Sequence, residues 1–440
     1  MLNPIVYAVP VFLLLMAAEF WWSRRRGLVV YSAADTVSSL SLGIISQLVA
    51  VFTKLVMVGL YTLAWQHLAL GEWSLASPWA WGAALLLYDF LYYWKHRLGH
   101  EVAILWAAHV VHHSSEEYNL STALRQTGSD FLLAWVFYLP MALLGVPPLM
   151  FVVVGLIDLL YQFWVHTRLV GRLGWFDRVF VSPSNHRVHH GQNDYCLDRN
   201  YGGILILWDR LFGSFVEEKD DEPIVYGVLG QLKSWNPWTA NIRSYADLWR
   251  DAKLADNWSD RLTIWWRSPN WRPAAAARAL PKSKPDLSRF ERYAPALPPG
   301  MGLYGLLQLL PLLLLGVYFL AVEPQLSLLA AAAAAGALLL ALVLLARLLE
   351  GRGSGSGGER LRLLGLAGLA AWQLWQGQAL LAPGHWLWGL CLAAALLGLL
   401  LLPRLLRQAI ESDKQAETMQ KGPGGHPGPG GAIEATDQNL

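Results

Sequence analysis

Apolar stretches long enough to cross a lipid bilayer recur along the whole chain and limit the folds open to it. Hydrophobic residues make up 55% of its 440 residues. About 20 such residues in a helix cross a hydrocarbon core of roughly 30 Å. We therefore predict an all-α fold, a polytopic helical membrane protein. The candidate spans are residues 4–22, 38–64, 78–94, 130–165, 303–322, 326–349, 361–381 and 385–403.

The apolar stretch at 130–165 is too long for one ordinary span. It is interrupted by the segment from Gly145 to Pro148, which contains two prolines. Proline interrupts a helix because it lacks an amide donor and clashes with the preceding turn. We predict a hairpin of two short helices here, with both of its ends on the same side of the bilayer.

The distribution of basic residues predicts the orientation of the spans, because cytoplasmic loops are enriched in lysine and arginine. Residues 24–26 are all arginine, the 65–77 loop carries no basic residue, and Lys95 and Arg97 follow the third span. This pattern places the region around residue 96 on the cytosolic face. We expect an integral, multi-pass protein of a bacterial inner membrane, or of the endoplasmic reticulum if the source is eukaryotic.

Nine of the twelve histidines lie between residues 96 and 190. Eight of them form three clusters, at residues 96–100, 109–113 and 186–190, and His166 stands alone between the second and third clusters. Histidines three or four residues apart in a cluster lie on one face of a helix. Imidazole is the commonest protein ligand for transition metals, and nine imidazoles exceed what one ion can bind. We therefore predict a histidine-rich di-metal site under a cytosolic helical cap, on the same face of the membrane. The candidate ligands are His96, His100, His109, His112, His113, His166, His186, His189 and His190.

The composition of the clusters favours iron over zinc. Structural zinc sites close at four ligands and usually include cysteine, whereas no cluster contains a cysteine. A nitrogen-rich site with open positions suits iron that binds O₂. We predict two iron ions, with zinc as a substitute in purified protein. A non-catalytic membrane protein that binds zinc or lipid remains an alternative of another class.

The pattern HxxxH, HxxHH, HxxHH resembles the fatty acid hydroxylase/sterol desaturase superfamily of membrane di-iron oxygenases. The sequence around the histidines more closely resembles the alkylglycerol monooxygenase family within it. That resemblance is densest over about 78–216. The blocks that carry it are residues 92–101, 112–126, 160–167, 185–191, 195–196, 200–203 and 208–213.

The resemblance implies an O₂-dependent lipid monooxygenase that uses tetrahydrobiopterin and cleaves O-alkylglycerol ethers to a fatty aldehyde and a glycerol derivative. It carries over eight of the nine histidines as metal ligands, with His166 as a ninth. The expected partners are a bilayer lipid, O₂ and a soluble electron donor. A net charge of +2 gives no indication of nucleic-acid binding. The alternative within the superfamily is hydroxylation or desaturation of a sterol or fatty acyl chain, fed by a reductase.

The resemblance and the composition together divide the chain into five regions. The cap is rich in tryptophan, arginine and proline, and the tail is rich in glycine and proline. We predict N-terminal membrane helices at 1–77, the catalytic domain at 78–216, a cytosolic cap at 217–300, a C-terminal four-helix membrane region at 301–405 and a disordered tail at 406–440.

Three further polar residues are candidates for a catalytic role. Glu101 follows a candidate ligand and could bind metal, orient a histidine or face solvent. Asp89 stands two helical turns before His96 and could accept a histidine N–H or bond to a tyrosine or tryptophan. Asn185 could hold a metal-bound water or cap the helix of the third cluster.

Arg125, Arg187 and Asn119 could contact a polar head group or the pterin. We slightly favour a packing role for these three residues.

Overall fold

The structure, a computed structural model, describes residues 4–351, 355–376 and 383–420. Helices dominate these residues, and isolated bridges at Phe180–Leu205 and Gly191–Tyr226 are the sole β pairings among them. The α-helices are α1 (Pro4–Arg25), α2 (Ala33–Lys54), α3 (Leu60–Leu68), α4 (Pro78–Glu101), α5 (Ala103–His113), α6 (Leu120–Ala123), α7 (Leu139–Leu143), α8 (Pro148–Trp164), α9 (Phe176–Val179), α10 (Pro183–His189), α11 (Leu207–Phe212), α12 (Pro237–Leu254), α13 (Trp258–Thr263), α14 (Ala274–Ala279), α15 (Met301–Val322), α16 (Leu328–Leu349), α17 (Gly355–Trp375) and α18 (Pro383–Gln420).

Five of the described helices are long and apolar enough to cross a membrane, which agrees with the predicted helical membrane fold. They are Pro4–Arg25, Ala33–Lys54, Met301–Gln325, Leu328–Leu349 and Gly384–Gln408. The predicted span at 78–94 lies within α4, and residues 361–375 of the predicted span at 361–381 lie in α17; residues 377–381 lie outside the described residues, and neither helix is among the five. In α4 the tyrosine and tryptophan residues and Asp89 lower the hydropathy, and α17 begins with glycine and charged residues.

The predicted single span at 38–64 is divided into three pieces. Helix α2 ends at Lys54, a π-helical turn follows at Leu55–Gly59, and α3 completes the stretch. The ammonium of Lys54 lies 3.3 Å from the carboxylate of Glu323, which follows α15. The ion pair marks the point where the apolar run of α2 ends.

The predicted break at 145–148 is confirmed. Helices α7 and α8 flank it, and the first arm consists mainly of short 3₁₀ turns at Asp130–Leu132 and Ala134–Tyr138. Gly145 has a φ of +90°, and a Cβ on it would stand 2.1 Å from the carbonyl oxygen of Gly71. Only glycine fits both the left-handed backbone and this close approach.

Helix α18 reaches Gln420 and corrects the predicted start of the disordered tail at 406. Residues 404–420 contain no glycine or proline, so nothing in this segment interrupts the helix. Residues 421–440, the glycine- and proline-rich remainder of the predicted tail, lie outside the described residues.

Helices α2 and α15 run side by side in the same direction. A Cβ on Gly302 would stand 3.0 Å from Cβ of Ala33 near their starts, and a Cβ on Gly316 would stand 3.3 Å from Ile44 midway. The Lys54–Glu323 ion pair joins their ends. The starts of both helices lie at the end of the bundle that carries the histidines, hereafter the histidine end.

Residues 217–300, hereafter the cap, are attached to this end of the bundle. The carboxylate of Glu350, which follows α16, accepts hydrogen bonds from the hydroxyl of Ser234 and from the backbone amide of Trp235. The backbone amides of Ala103 and Ile104 at the start of α5 donate to carbonyls of the cap at 2.8 and 2.9 Å. The cap therefore contacts both the membrane helices and a helix that carries histidines.

Candidate metal centre

Four segments bring the nine histidines together. Helices α4 and α5 each end in a cluster, the short helix α10 carries the third with His190 as its C-cap, and His166 follows α8. Seven of the nine side chains are buried, and those of His109 and His112 are partly buried. The sequence clusters therefore converge on one interior region.

The nine side chains divide into two groups, and the ligand atoms of each group lie within 4.8 Å of one another. The five-histidine group consists of His96, His100, His109, His113 and His189. The four-histidine group consists of His112, His166, His186 and His190. Each could hold one metal ion.

The two His-His pairs explain how neighbouring residues serve different groups. His112 and His113 belong to different groups, as do His189 and His190. Consecutive residues on a helix point about 100° apart, so one helix end can supply both groups. The second and third clusters thereby join the two groups into one centre, as the sequence predicts for a two-metal site.

Backbone carbonyls hold several imidazoles so that Nε2 faces the group. Nδ1 of His96 lies 2.7 Å from the carbonyl oxygen of Tyr201, and Nδ1 of His166 lies 2.7 Å from that of Gln162. The corresponding distances are 3.0 Å from His112 to Arg125 and 2.9 Å from His189 to Arg199. Such contacts select the tautomer that leaves Nε2 free for a metal.

The inward-facing nitrogens lack ordinary hydrogen-bond partners. Nε2 of His100, His189 and His190 is buried without one. Other Nε2 atoms face each other, with 3.0 Å between His96 and His109 and 3.0 Å between His166 and His186. Buried polar atoms normally have partners, and two ligands on one ion, each about 2 Å from it, stand about 3 Å apart. The donor atoms of both groups therefore fit a metal ion.

Burial keeps these imidazoles neutral at physiological pH. It lowers the pKa of His112 to about 4 and that of His189 to about 3, because a charged ring would lose its hydration there. The neutral ring is the form that binds metal. The electrostatics of the site thus agree with its geometry.

Two buried carboxylates hold the loop that contacts His96. Asp209 accepts from the backbone amides of Tyr201 and Gly202 at 2.7 and 2.8 Å. Asp89 accepts from the amide of Ile204 at 2.7 Å and from Nε1 of Trp208 at 2.8 Å. Asp89 is therefore bonded to a tryptophan and to backbone amides, which agrees with the second of the two alternatives that the sequence leaves open for it, and it accepts no bond from a histidine.

Glu101 and Asn185 lie next to the centre without belonging to either group. The Glu101 carboxylate is 40% exposed and accepts from Nε of Arg97 at 2.9 Å. It points outward because it follows a ligand by one helical position. Oδ1 of Asn185 accepts from the hydroxyl of Ser182 at 2.7 Å, and Ser182 is the N-cap of α10. Asn185 thus supports the cap of this helix without being the cap itself.

The two arginines and the asparagine proposed for head-group contact are engaged in packing. Arg125 is buried and donates to the carbonyl of Val111 at 3.0 Å. Arg187 donates to both carboxylate oxygens of Glu218 at 2.8 and 2.7 Å. Asn119 caps α6 with its side chain. These contacts favour the packing role, and Arg125 also contributes its carbonyl to His112.

Asp209 and Tyr201 are site residues that neither spacing nor composition singles out. Both belong to sequence blocks that carry the family resemblance, and Asp209 is a fully buried carboxylate in the structure. The sequence signal for Asp209 is its position as an acidic residue in the block 208–213, which also contains a tryptophan and a phenylalanine. Its partner, the backbone amide of Tyr201 eight residues earlier, has no signature in the sequence.

A cavity of about 370 Å³, hereafter the lipid cavity, leads from the membrane helices to the histidines. Helices α1, α2, α8 and α15 give it apolar walls. At the histidine end it is lined by His109, His112 and His166. Polar side chains also line it, and they include Ser46, Gln47, Lys95, Gln126, Thr127, Asp130, Asp158 and Gln162.

A second cavity of about 360 Å³, hereafter the cap cavity, reaches the histidines beside the cap. It is lined by His96 and His109 and by the aromatic residues Phe137, Tyr245 and Trp266. Lys95 and Asp130 line both cavities and form an ion pair with 2.9 Å between Nζ and Oδ2. The two cavities therefore meet at His109 and this ion pair.

Comparison with known proteins agrees with this architecture. The family model of the fatty acid hydroxylases matches residues 81–214, the region that supplies every histidine of the two groups. No solved structure matches the chain.

Three alkylglycerol monooxygenases are similar to the chain over about two thirds of their length. The Danio rerio protein is 40% identical over 314 residues, which cover 71% of this chain and 69% of that protein. The Xenopus tropicalis protein is 41% identical over 67% of this chain and 65% of its own length. The Homo sapiens protein is 37% identical over 64% and 63%, respectively. With its helical membrane fold and its paired histidine groups, the chain belongs to the alkylglycerol monooxygenase family.

Proposed function

We propose that this protein is a membrane di-iron monooxygenase that cleaves the ether bond of O-alkylglycerol lipids. Reduced pterin and O₂ would be its co-substrates. A fatty aldehyde and a glycerol derivative would be its products. The observation that carries the proposal is the lipid cavity, which joins apolar membrane helices to the histidines of both groups.

The shape and lining of the lipid cavity suit a single-chain ether lipid. The hydrocarbon tail would lie between α1, α2, α8 and α15, where it is removed from water. The ether-linked carbon would lie beside His109, His112 and His166. The glycerol hydroxyls would then reach Lys95 and Asp130, whose paired charges offer a donor and an acceptor to an uncharged polyol.

Two iron ions are the proposed metals, one in each histidine group. Iron bound there would activate O₂ and provide the oxidising power to hydroxylate the carbon next to the ether oxygen. The hydroxylated product is a hemiacetal, which separates into the aldehyde and the glycerol derivative. The protein contributes neutral ligands, a water-poor tail site and a fixed position for the reacting carbon.

Tetrahydrobiopterin is the proposed electron donor, since each turnover of a monooxygenase needs two electrons besides O₂. The residues that line the cap cavity suit a reduced pterin ring. Phe137, Tyr245 and Trp266 offer aromatic surfaces, and the Asp130 carboxylate can accept hydrogen bonds from ring N–H groups. The donor would thus approach the five-histidine group without crossing the tail site.

We also propose that the histidine end faces the cytosol of a bacterial cell. Arg24 and Arg25 close α1 at the end where Glu19 of the same helix accepts from the backbone amide of Leu120, next to the histidine-bearing segments. Basic residues mark the cytosolic side of membrane proteins. A soluble reductant would then reach the cap cavity directly.

The test is aldehyde release by purified protein loaded anaerobically with Fe(II) and supplied with O₂, tetrahydrobiopterin and an O-alkylglycerol. We expect aldehyde from the ether lipid and none from the matching ester. His112→Ala should abolish release. His67→Ala, which removes an exposed histidine outside both groups, should have no effect. Absence of aldehyde under every metal loading would contradict the assignment of ether cleavage.

A further inference from the structure

Helix α15 presents an apolar stripe to the lipid cavity. Leu313, Gly316, Val317 and Leu320 line the cavity, and their spacing of three, four and seven residues places them on one helical face. This helix lies outside the region 81–214 that matches the fatty acid hydroxylases. The C-terminal membrane region therefore forms part of the proposed substrate site, although it supplies no histidine to either group.

The stripe runs along the length of the cavity. Because α15 begins at the histidine end and ends at the Lys54–Glu323 pair, Leu313 is nearest the histidines and Leu320 is farthest. Seven residues of helix span about 10 Å. The stripe can therefore contact successive parts of a hydrocarbon tail.

Helix α1 also lines the cavity and runs in the direction opposite to α15. Phe12 stacks on Phe163 with 4.3 Å between ring centroids, and Phe163 stands three residues before His166. Val9 and Ile5 also line the cavity, one and two turns farther from this contact. The far end of the cavity is thus lined by the start of α1 and the end of α15.

We propose that the α15 stripe sets the longest alkyl chain that the lipid cavity accepts, with Val317 at its middle and Leu320 at its far end. This inference rests on the proposed function for the identity of the ligand. It gives the C-terminal membrane helices a role in chain-length selection. Gly316 is a poor position for a test, because a side chain there would press on Ile44 and separate α2 from α15.

Two substitutions change the cavity in opposite directions. Val317→Phe adds volume at the middle of the stripe, and Leu320→Ala removes volume at its far end. Leu310→Phe is the matched control, because Leu310 lies on the same helix, is 43% exposed and does not line the cavity. None of the three changes touches a histidine group.

The experiment measures binding rather than turnover. Thermal unfolding of each detergent-solubilised variant is followed with O-alkylglycerols of increasing chain length. Each methylene that enters an apolar site should raise affinity about fourfold, until the tail reaches the end of the cavity. We expect this limit at a shorter chain for Val317→Phe and at a longer chain for Leu320→Ala. Leu310→Phe should keep the limit of the unsubstituted protein.

Unchanged limits in both cavity variants, or an equal shift in the control, would overturn the proposal. So would stabilisation that does not depend on chain length in the unsubstituted protein. Because binding needs no chemistry, shifted limits without aldehyde release would support the role of α15 and reject ether cleavage. Aldehyde release with unshifted limits would support ether cleavage and reject the role of α15 in chain-length selection.

Discussion

The two histidine groups differ in the number of ligands they offer and in the cavity that reaches them. In the four-histidine group, His112 and His166 line the lipid cavity, whereas in the five-histidine group only His109 does so. The cap cavity reaches His96 and His109 and no member of the four-histidine group. The two proposed metal ions would therefore have different surroundings.

This difference indicates a division of labour. An ion with four protein ligands keeps more free coordination positions than one with five, and open positions are what O₂ and substrate require. The four-histidine group combines those positions with the larger exposure to the lipid cavity. We infer that oxidation of the lipid centres on this group and that the five-histidine group lies nearer the electron donor.

Removal of a ligand should have the largest effect, and an unequal one. His166→Ala leaves three ligands in the four-histidine group. We expect it to reduce aldehyde release by more than about 100-fold, a larger loss than is typical for changes to residues behind a metal ligand. His100→Ala leaves four ligands in the other group and should retain more activity. Iron content and aldehyde release are measured together. Equal losses in both variants would remove the functional distinction between the groups.

Acid should destabilise the metal-free protein through both groups. The folded state holds His112 and His189 neutral, with pKa values of about 4 and about 3. In the unfolded chain a histidine has a pKa of about 6.5. As pH falls from about 6.5 toward these values, the unfolded state binds more protons. Each of these two histidines then lowers the equilibrium constant for folding by up to about tenfold per pH unit.

The measurement for this prediction is thermal unfolding between pH 7 and pH 5, with and without bound metal. A bound ion competes with protons for the ring nitrogens, so the loaded protein should lose less stability over this range. A metal-free protein whose unfolding temperature does not fall with pH would contradict the buried, neutral state of the rings.

Changes behind the ligands should affect one group at a time. Asp209→Asn weakens the loop whose Tyr201 carbonyl contacts His96, in the five-histidine group. Arg125→Lys disturbs the segment whose carbonyl contacts His112, in the four-histidine group. We expect a loss of about 10- to 100-fold in metal affinity for the group concerned. Titration with metal should resolve one weakened and one normal site in each variant.

The smallest effect should come from Asn185→Ala, which affects both groups equally. Asn185 supports the N-terminus of α10, and this helix and its C-cap carry ligands of both groups. Loss of such a contact costs about 1 kcal/mol. The unfolding temperature should fall slightly, and the ratio of the two metal affinities should stay unchanged. A selective loss at one group would point to a direct role for Asn185 there.

Much of the centre could be predicted from sequence because its ligands come from helices. The spacing of His96 and His100, or of His186 and His189, places both side chains on one helical face before any tertiary contact is known. His166 has no neighbouring histidine, so spacing alone does not place its side chain beside the others. The division into groups of five and four depends on the angles between α4, α5 and α10, which spacing does not determine.

The supporting contacts were less predictable because backbone atoms make them. For Asp89 the sequence left a histidine contact and a bond to tyrosine or tryptophan open, and in the structure Asp89 bonds to Trp208 and holds the loop that contacts His96. A backbone carbonyl has no residue signature, so the roles of Tyr201 and Arg199 could not be read from the sequence. The predicted span at 78–94 lies within α4, which is not among the five helices that are long and apolar enough to cross a membrane.

The most direct test of the account is aldehyde release as a function of Fe(II) added to the metal-free protein. Two occupied groups are required if one ion faces the lipid and the other the electron donor. We predict that release remains low at one equivalent of iron per chain and reaches its maximum at two. Maximal release at one equivalent, or release that does not depend on iron, would contradict a di-iron centre.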